Sequence, residues 1–253
     1  MTGISSPEKG QYIGAELCAP AGSKLAIQKD NKVKRDYLDC PVAVDFNVLA
    51  KLQAVFAHKQ ESDQWFHYGD MWFDVDDKDL QKSAKTAGTI IDWLVAHGVP
   101  EDAIHCWQSG GKGYHLRVPA GVFGAVFPEL AYCLPLACKA FAQHIVEAIN
   151  SEGSDHATVD LALYAGRTGQ MLRRANILRE NGAYKVPVSH AEVLKVRDAA
   201  DPVAAYRAIS SAPMPEHWCV EVVEVPGLGE LFKRLALEAV EKQEARVKAG
   251  KLL

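Results

Sequence analysis

Between positions 71 and 95 the spacing of apolar residues changes from strand-like to helix-like, and that change fixes the first elements. Residues 71–77, Met-Trp-Phe-Asp-Val-Asp-Asp, are an apolar run ending in acids and read as a strand. Leu80, Ala84, Ala87, Ile90, Ile91, Leu94 and Val95 then recur at intervals of three and four, one face of an amphipathic helix. Asp77 or Asp79 stands at its N-cap, and Gly98 with Pro100 ends it. Residues 104–108 and 114–118 are two strands around a glycine-rich turn at 109–113, a hairpin. One long helix is expected over 128–149, kinked at Pro135, then a strand over 157–163 carrying a single acid, Asp160. An Asn181-Gly182 turn leads into a strand over 183–188, Ser189 and Glu192 form a capping box, and Asp201-Pro202 opens a short helix. Val220, Val222, Val223 and Val225 suggest one more strand, and residues 230–251 a final helix with an increasingly polar tail. Residues 1–44 look like short strands and loops, and Asp45 is placed to cap a helix carrying Val48, Leu49, Leu52, Val55 and Phe56. Strands and helices follow one another without an internal repeat.

At 253 residues, 48% hydrophobic and 24% charged, the chain has the balance of a globular protein with a sizeable core, which excludes disordered and fibrous classes. No signal-like or membrane-spanning run is present, so a cytoplasmic location is expected. The six cysteines form no CxxC pair, which suits reduced thiols. Cys133 and Cys138 with His97, His105 or His144 have the donor types for zinc. They lie in an apolar helical pattern, however, so no structural zinc is expected. A net charge of −4 argues against a uniformly basic nucleic-acid coat and leaves room for a local basic groove.

Chemistry concentrates in four places. Asp74 and Asp76, two apart on a strand, share a face, and two carboxylates on one edge repel unless a cation lies between them. An acidic strand end beside a helix cap is the alternative for that pair. The turn Ser109-Gly-Gly-Lys112-Gly113, with His115 two residues on, lets backbone N–H groups and one ammonium approach a phosphate; a plain glycine turn with an exposed lysine is its alternative. Asp160 sits among apolar neighbours, where an unpaired charge is expensive, and is a candidate third ligand. Arg167, Arg173, Arg174 and Arg179 with Lys185 are opposed only by Glu180, a basic stretch suited either to solvent or to phosphates.

The apolar strand ending in Asp74-Val75-Asp76, the Gly113-Tyr114-His115 element within Ser109-Gly-Gly-Lys-Gly-Tyr-His, and Val159-Asp160 occur in the order and spacing of the archaeo-eukaryotic primase superfamily. Met171-Leu172-Arg173 and the hairpin after it resemble the segment that follows the third motif in primase small subunits, so the likeness covers roughly 65–190. It implies an α+β primase catalytic core, an RRM-like, palm-like sheet flanked by helices, with an added C-terminal helix. Its parts would be 1–64, the N-terminal part of the catalytic module; 65–215, the core; and 216–253, a strand and helix open to a partner.

The resemblance further implies that Asp74, Asp76 and Asp160 hold two Mg²⁺ or Mn²⁺ ions. Ser109, Lys112, Gly113, His115 and Arg173 would bind the incoming NTP or dNTP, and Arg167, Arg174, Arg179 and Lys185 the single-stranded DNA template. The expected activity is primer synthesis by a DNA primase or primase-polymerase, a nucleotidyltransferase of DNA replication, with a replicative helicase as a further partner. The short form is similar to primases of phages and plasmids, and it lacks the zinc knuckle of many primase small subunits. Two alternatives belong to other classes: a non-enzymatic replication-initiator or origin-binding module, and a metal-dependent nuclease.

Overall fold

A computed structural model describes the backbone of seven short strands within residues 1–69. It also describes residues 70–250 apart from 125, 152–154, 165–170, 174, 177, 180 and 216–222. The early strands are β1 (Gln11–Ile13), β2 (Lys24–Lys29), β3 (Lys34–Asp39), β4 (Ala43–Asp45), β5 (Lys51–Gln53), β6 (Phe56–Lys59) and β7 (Trp65–Tyr68). They pair in the order β3-β2-β6-β7 and, separately, β1 with β4. The helix expected after Asp45 is therefore replaced by strands. Phe56 lies opposite Tyr68, and Leu52 lies opposite Leu172 of a distant strand, β12 (Met171–Arg173). Apolar residues so close together satisfy either period, and long-range pairing decides between them.

The principal sheet is built from β8 (Met71–Asp76), β9 (His105–Gln108), β10 (Gly113–Val118), β11 (Thr158–Val159) and β13 (Val186–Val188). Their order is β11-β8-β10-β9-β13, every neighbouring pair antiparallel. Helix α1 (Leu80–Ala96) connects β8 to β9, and α2 (Val126–Glu129) and α3 (Leu134–Ser151) lie between β10 and β11. The first four strands and their crossings thus make a βαββαβ unit, with β13 added at the edge; this is the RRM-like sheet expected from the sequence.

Period-two alternation gives the sheet two unlike faces. Met71, Phe73 and Val75 point to the helical side with Tyr114, Leu116 and Val118, all essentially inaccessible to solvent, and α1 and α3 pack there. On α1, Ala84, Ala87, Ile90, Ile91 and Leu94 are buried as the spacing predicts, whereas Val95 is exposed. Asp79 is the N-cap and accepts from the Gln81 and Lys82 N–H groups, while Asp77 accepts from the Asp79 N–H. After the sheet come α4 (His190–Asp198), capped by the Ser189/Glu192 box, and α5 (Pro202–Ile209), capped by Asp201. The last helix is α6 (Pro226–Lys248), docked on α3 through Phe232, whose ring lies 5.4 Å from that of Phe141 and 4.9 Å from that of Phe123.

Several boundaries differ from expectation. The long helix over 128–149 is two helices, because Pro135 occupies the second position of α3, where its missing N–H costs nothing, instead of kinking a continuous rod. The strand over 157–163 shrinks to the two residues of β11, since Asp160 accepts from the Ala162 N–H and turns the chain into a 3₁₀ turn, Leu161–Tyr164. The strand over 183–188 begins at Val186, preceded by a single bridge between Leu178 and Tyr184. Of the strand expected near Val225, Val220 and Val222 lie outside the described residues, Val223 is not in a strand, and Val225 already caps α6, which starts four residues earlier than predicted. Cys106 and Cys138 are buried free thiols and Cys133 is a half-buried one. Among the described residues, no helix is long and apolar enough to cross a membrane.

Candidate active site

The face of the sheet opposite α1 and α3 carries the chemistry. Asp74 and Asp76 project from it two residues apart on β8. β10 runs alongside with His115 opposite Asp74 and Gly113 opposite Asp76, so both share that face. On the other flank β11 pairs Thr158 with Asp76, and the Asp160 N–H donates to the Asp74 carbonyl at 2.8 Å, which brings the third acid level with Asp74. Three acids from two segments far apart in sequence therefore meet on one strip of sheet.

Basic groups flank them. His115 Nε2 is 3.4 Å from Asp74 Oδ1, and Lys112 Nζ is 3.5 Å from Asp76 Oδ2. Asp74 is mostly buried, and its Oδ1 accepts no hydrogen bond. Burial first, then the negative charges of Asp76 and Asp160, push its carboxyl up to about 6 against the partial relief of Lys185 and Lys112. Such a site is short of positive charge. Its hard oxygen donors have the chemistry that Mg²⁺ or Mn²⁺ takes, and the unbonded Asp74 oxygen fits a cation; no group of three His, Cys, Asp or Glu side chains among the described residues is already gathered as a metal cage.

The glycine-rich tip is fixed by contact. A Cβ on Gly113 would stand 1.8 Å from the Val75 carbonyl oxygen and 2.4 Å from Asp76 Oδ1, so only glycine lets β10 lie this close to the acids. Gly110 has φ +70° and lies against the Tyr184 carbonyl. Ser109 is buried, its hydroxyl turned toward the Gly111 N–H and Tyr206. Arg179, expected on DNA, donates to the Ser109 carbonyl.

Lys185, also expected on DNA, is buried with Nζ 4.9 Å from the Trp107 ring and 5.6 Å from that of Trp72, two rings stacked 5.4 Å apart. Arg173 lies on β12, opposite Lys51 of β5, away from the principal sheet's strand order. Arg167 and Arg174 lie outside the described residues.

Sequence reading passed over the rest of this face. Trp72 stands two residues before Asp74, Arg117 two after His115, and Trp107 directly across from His115. The same alternation that paired the aspartates would have found the first two. Arg117 reaches both tryptophan rings at 5.8 Å and Asp70 at 3.5 Å, and it donates to His105 Nδ1. Burial and Arg117 hold His105 down to about 3, so it is neutral, with its proton on Nε2. Nothing local marks Tyr206, whose hydroxyl donates to the Gly113 carbonyl at 2.7 Å from α5.

No protein-family model matches the chain, and no curated protein sequence does. Among solved structures, it is similar to the polymerase domain of Mycobacterium tuberculosis Ligase D in complex with DNA. That match covers 75% of this chain and 81% of that one, at 15% identity and a TM-score of 0.42. At that score the likeness carries no functional argument, and the weight falls on the sheet face itself.

Proposed function

We propose that the protein is a template-directed nucleotidyltransferase of the primase-polymerase kind, joining nucleotides along single-stranded DNA. The observation that supports it is the convergence of Asp74, Asp76 and Asp160 on one sheet face, with His115 and Lys112 set against the first two. Asp74, Asp76 and Asp160 would hold divalent metal, which supplies charge neutralisation for the α-phosphate and the departing pyrophosphate. Lys112, exposed at the hairpin tip, is placed to grip the triphosphate as a point charge, and His115 to orient it from the floor of the site. Both side chains lie within 3.5 Å of the acids, so bound triphosphate would lie directly over the carboxylate row. Arg173 completes the triphosphate grip in this reading, and Arg167 and Arg174 follow the template. A replicative helicase is the partner such an enzyme would serve.

The test is synthesis from labelled NTPs or dNTPs on unprimed and primed single-stranded DNA with Mg²⁺ or Mn²⁺. Metal-dependent product on unprimed template identifies a primase, and product on primed template alone a polymerase. DNA binding with no product contradicts the proposal in favour of a binding module, and degradation of DNA without nucleotides contradicts it in favour of a nuclease. His115→Ala is expected to raise the nucleotide KM more than it lowers kcat, measured on primed template.

A further inference from the structure

We infer that Arg179 is a positioning residue for the glycine-rich tip, with Asn181 as a second strut, and not a nucleic-acid contact. The inference deepens the nucleotidyl-transfer reading and rests on it. A loop that grips phosphate must keep its carbonyl oxygens away from the anion, because each carries negative charge. Four tip carbonyls are bonded into the protein. Ser109 O accepts from Arg179 Nη1 at 2.9 Å, and Gly110 O from Asn181 Nδ2 at 2.9 Å. Lys112 O accepts from Ser83 Oγ at 3.0 Å, and Gly113 O from the Tyr206 hydroxyl at 2.7 Å.

Arg179 does more than donate. Its guanidinium lies along Gly111, where a Cβ would come within 3.1–3.2 Å of three of its atoms, so the residue packs on the tip as well as bonding to it. The strut is itself braced. The Gly182 N–H donates to Arg179 O at 2.9 Å, the Arg179 N–H to Ala183 O at 2.8 Å, and the Ala183 N–H to Asn181 Oδ1 at 3.2 Å. The next residue ties it to α5, with the Tyr184 N–H donating to Ser210 O at 2.9 Å. Arg179, Asn181 and Gly182 thus form a bracket under the first turn, and Lys112 is left at the outer edge of a tip whose carbonyls are bonded inward.

The experiment compares wild type with Arg179→Ala, Arg179→Lys and Asn181→Ala in the full chain. It measures nucleotide KM and kcat on primed DNA, single-stranded DNA affinity by fluorescence anisotropy, and hydrogen exchange of the 109–113 amides. Arg179→Ala is expected to raise KM by about tenfold, the order of one charge-assisted hydrogen bond, with DNA affinity unchanged and the tip amides exchanging faster. Asn181→Ala should move the same readouts less. Arg179→Lys keeps the charge but loses the planar fork, so it should resemble the alanine variant. Weakened DNA binding at unchanged KM, wild-type behaviour of Arg179→Lys, or unaltered tip exchange overturns the proposal. Failure of the wild type itself to incorporate nucleotides would instead refute the function, and the exchange comparison would still decide whether the bracket exists.

Discussion

At Asp74 stability and the proposed chemistry pull against each other. Its carboxyl ordinarily titrates near 3.8 and here near 6, so the folded protein favours the protonated form. The stability this lends is present in full below the ordinary value and is lost as pH rises through about 6. The cost at neutral pH is roughly 2–3 kcal/mol. Asp74→Asn removes that cost. In the absence of divalent ions at pH 7.5, its melting temperature should rise by about 5 °C over wild type, and the gap should close near pH 4. Nucleotide incorporation, assayed separately at pH 7.5 with Mg²⁺ or Mn²⁺ added, should be lost in the variant. An equal melting temperature at pH 7.5 would mean that the acids do not strain the folded state. The aspartate pair was legible in the sequence because strand alternation alone puts positions 74 and 76 on one face. The burial that raises Asp74 was not, since it depends on β10 and β11 closing on both sides of β8.

The shortness of β11 governs how β8 is held. With only Thr158 and Val159 paired, the Trp72 peptide on the same edge has no strand partner. Tyr164, carried inward by the 3₁₀ turn, supplies one. Its hydroxyl accepts from the Trp72 N–H at 2.6 Å and donates to the Trp72 carbonyl at 2.8 Å. Tyr164→Phe leaves both groups buried and unsatisfied, and should lower stability by about 1–3 kcal/mol, seen as a lower denaturant midpoint at unchanged slope. An unchanged midpoint would show that β8 needs no such support. A strand over 157–163 was the natural reading of its apolar run, and it missed this turn because Asp160 bonds back to its own chain. The helices α1, α4 and α5 were readable from caps within a few residues, while the helix expected after Asp45 gave way to pairings with partners too distant for local spacing to report.

Across the whole molecule, one sheet divides the work: its helical face provides the core, and its other face gathers acids, cations and two stacked tryptophans. A net charge of −4 is compatible with this arrangement because the candidate site needs local cations, not a basic surface. The motifs in sequence named three acids, and the register of β11 on β8 sets Asp160 beside Asp74. The motifs did not show that Lys185 would be buried over tryptophans or that Arg179 would brace the tip, because both placements depend on how the 179–188 segment docks against β9 and the hairpin. Asp160 is the acid whose place depends most on the fold, since β11 alone brings it to Asp74. The decisive measurement is metal-dependent nucleotide incorporation by Asp160→Asn on primed single-stranded DNA, with melting temperature and DNA affinity measured alongside. A loss of about a hundredfold or more with DNA binding intact is the expected result, in keeping with removal of a group that stabilises transition-state charge. Incorporation at the wild-type rate would contradict the assignment of this sheet face as the catalytic centre.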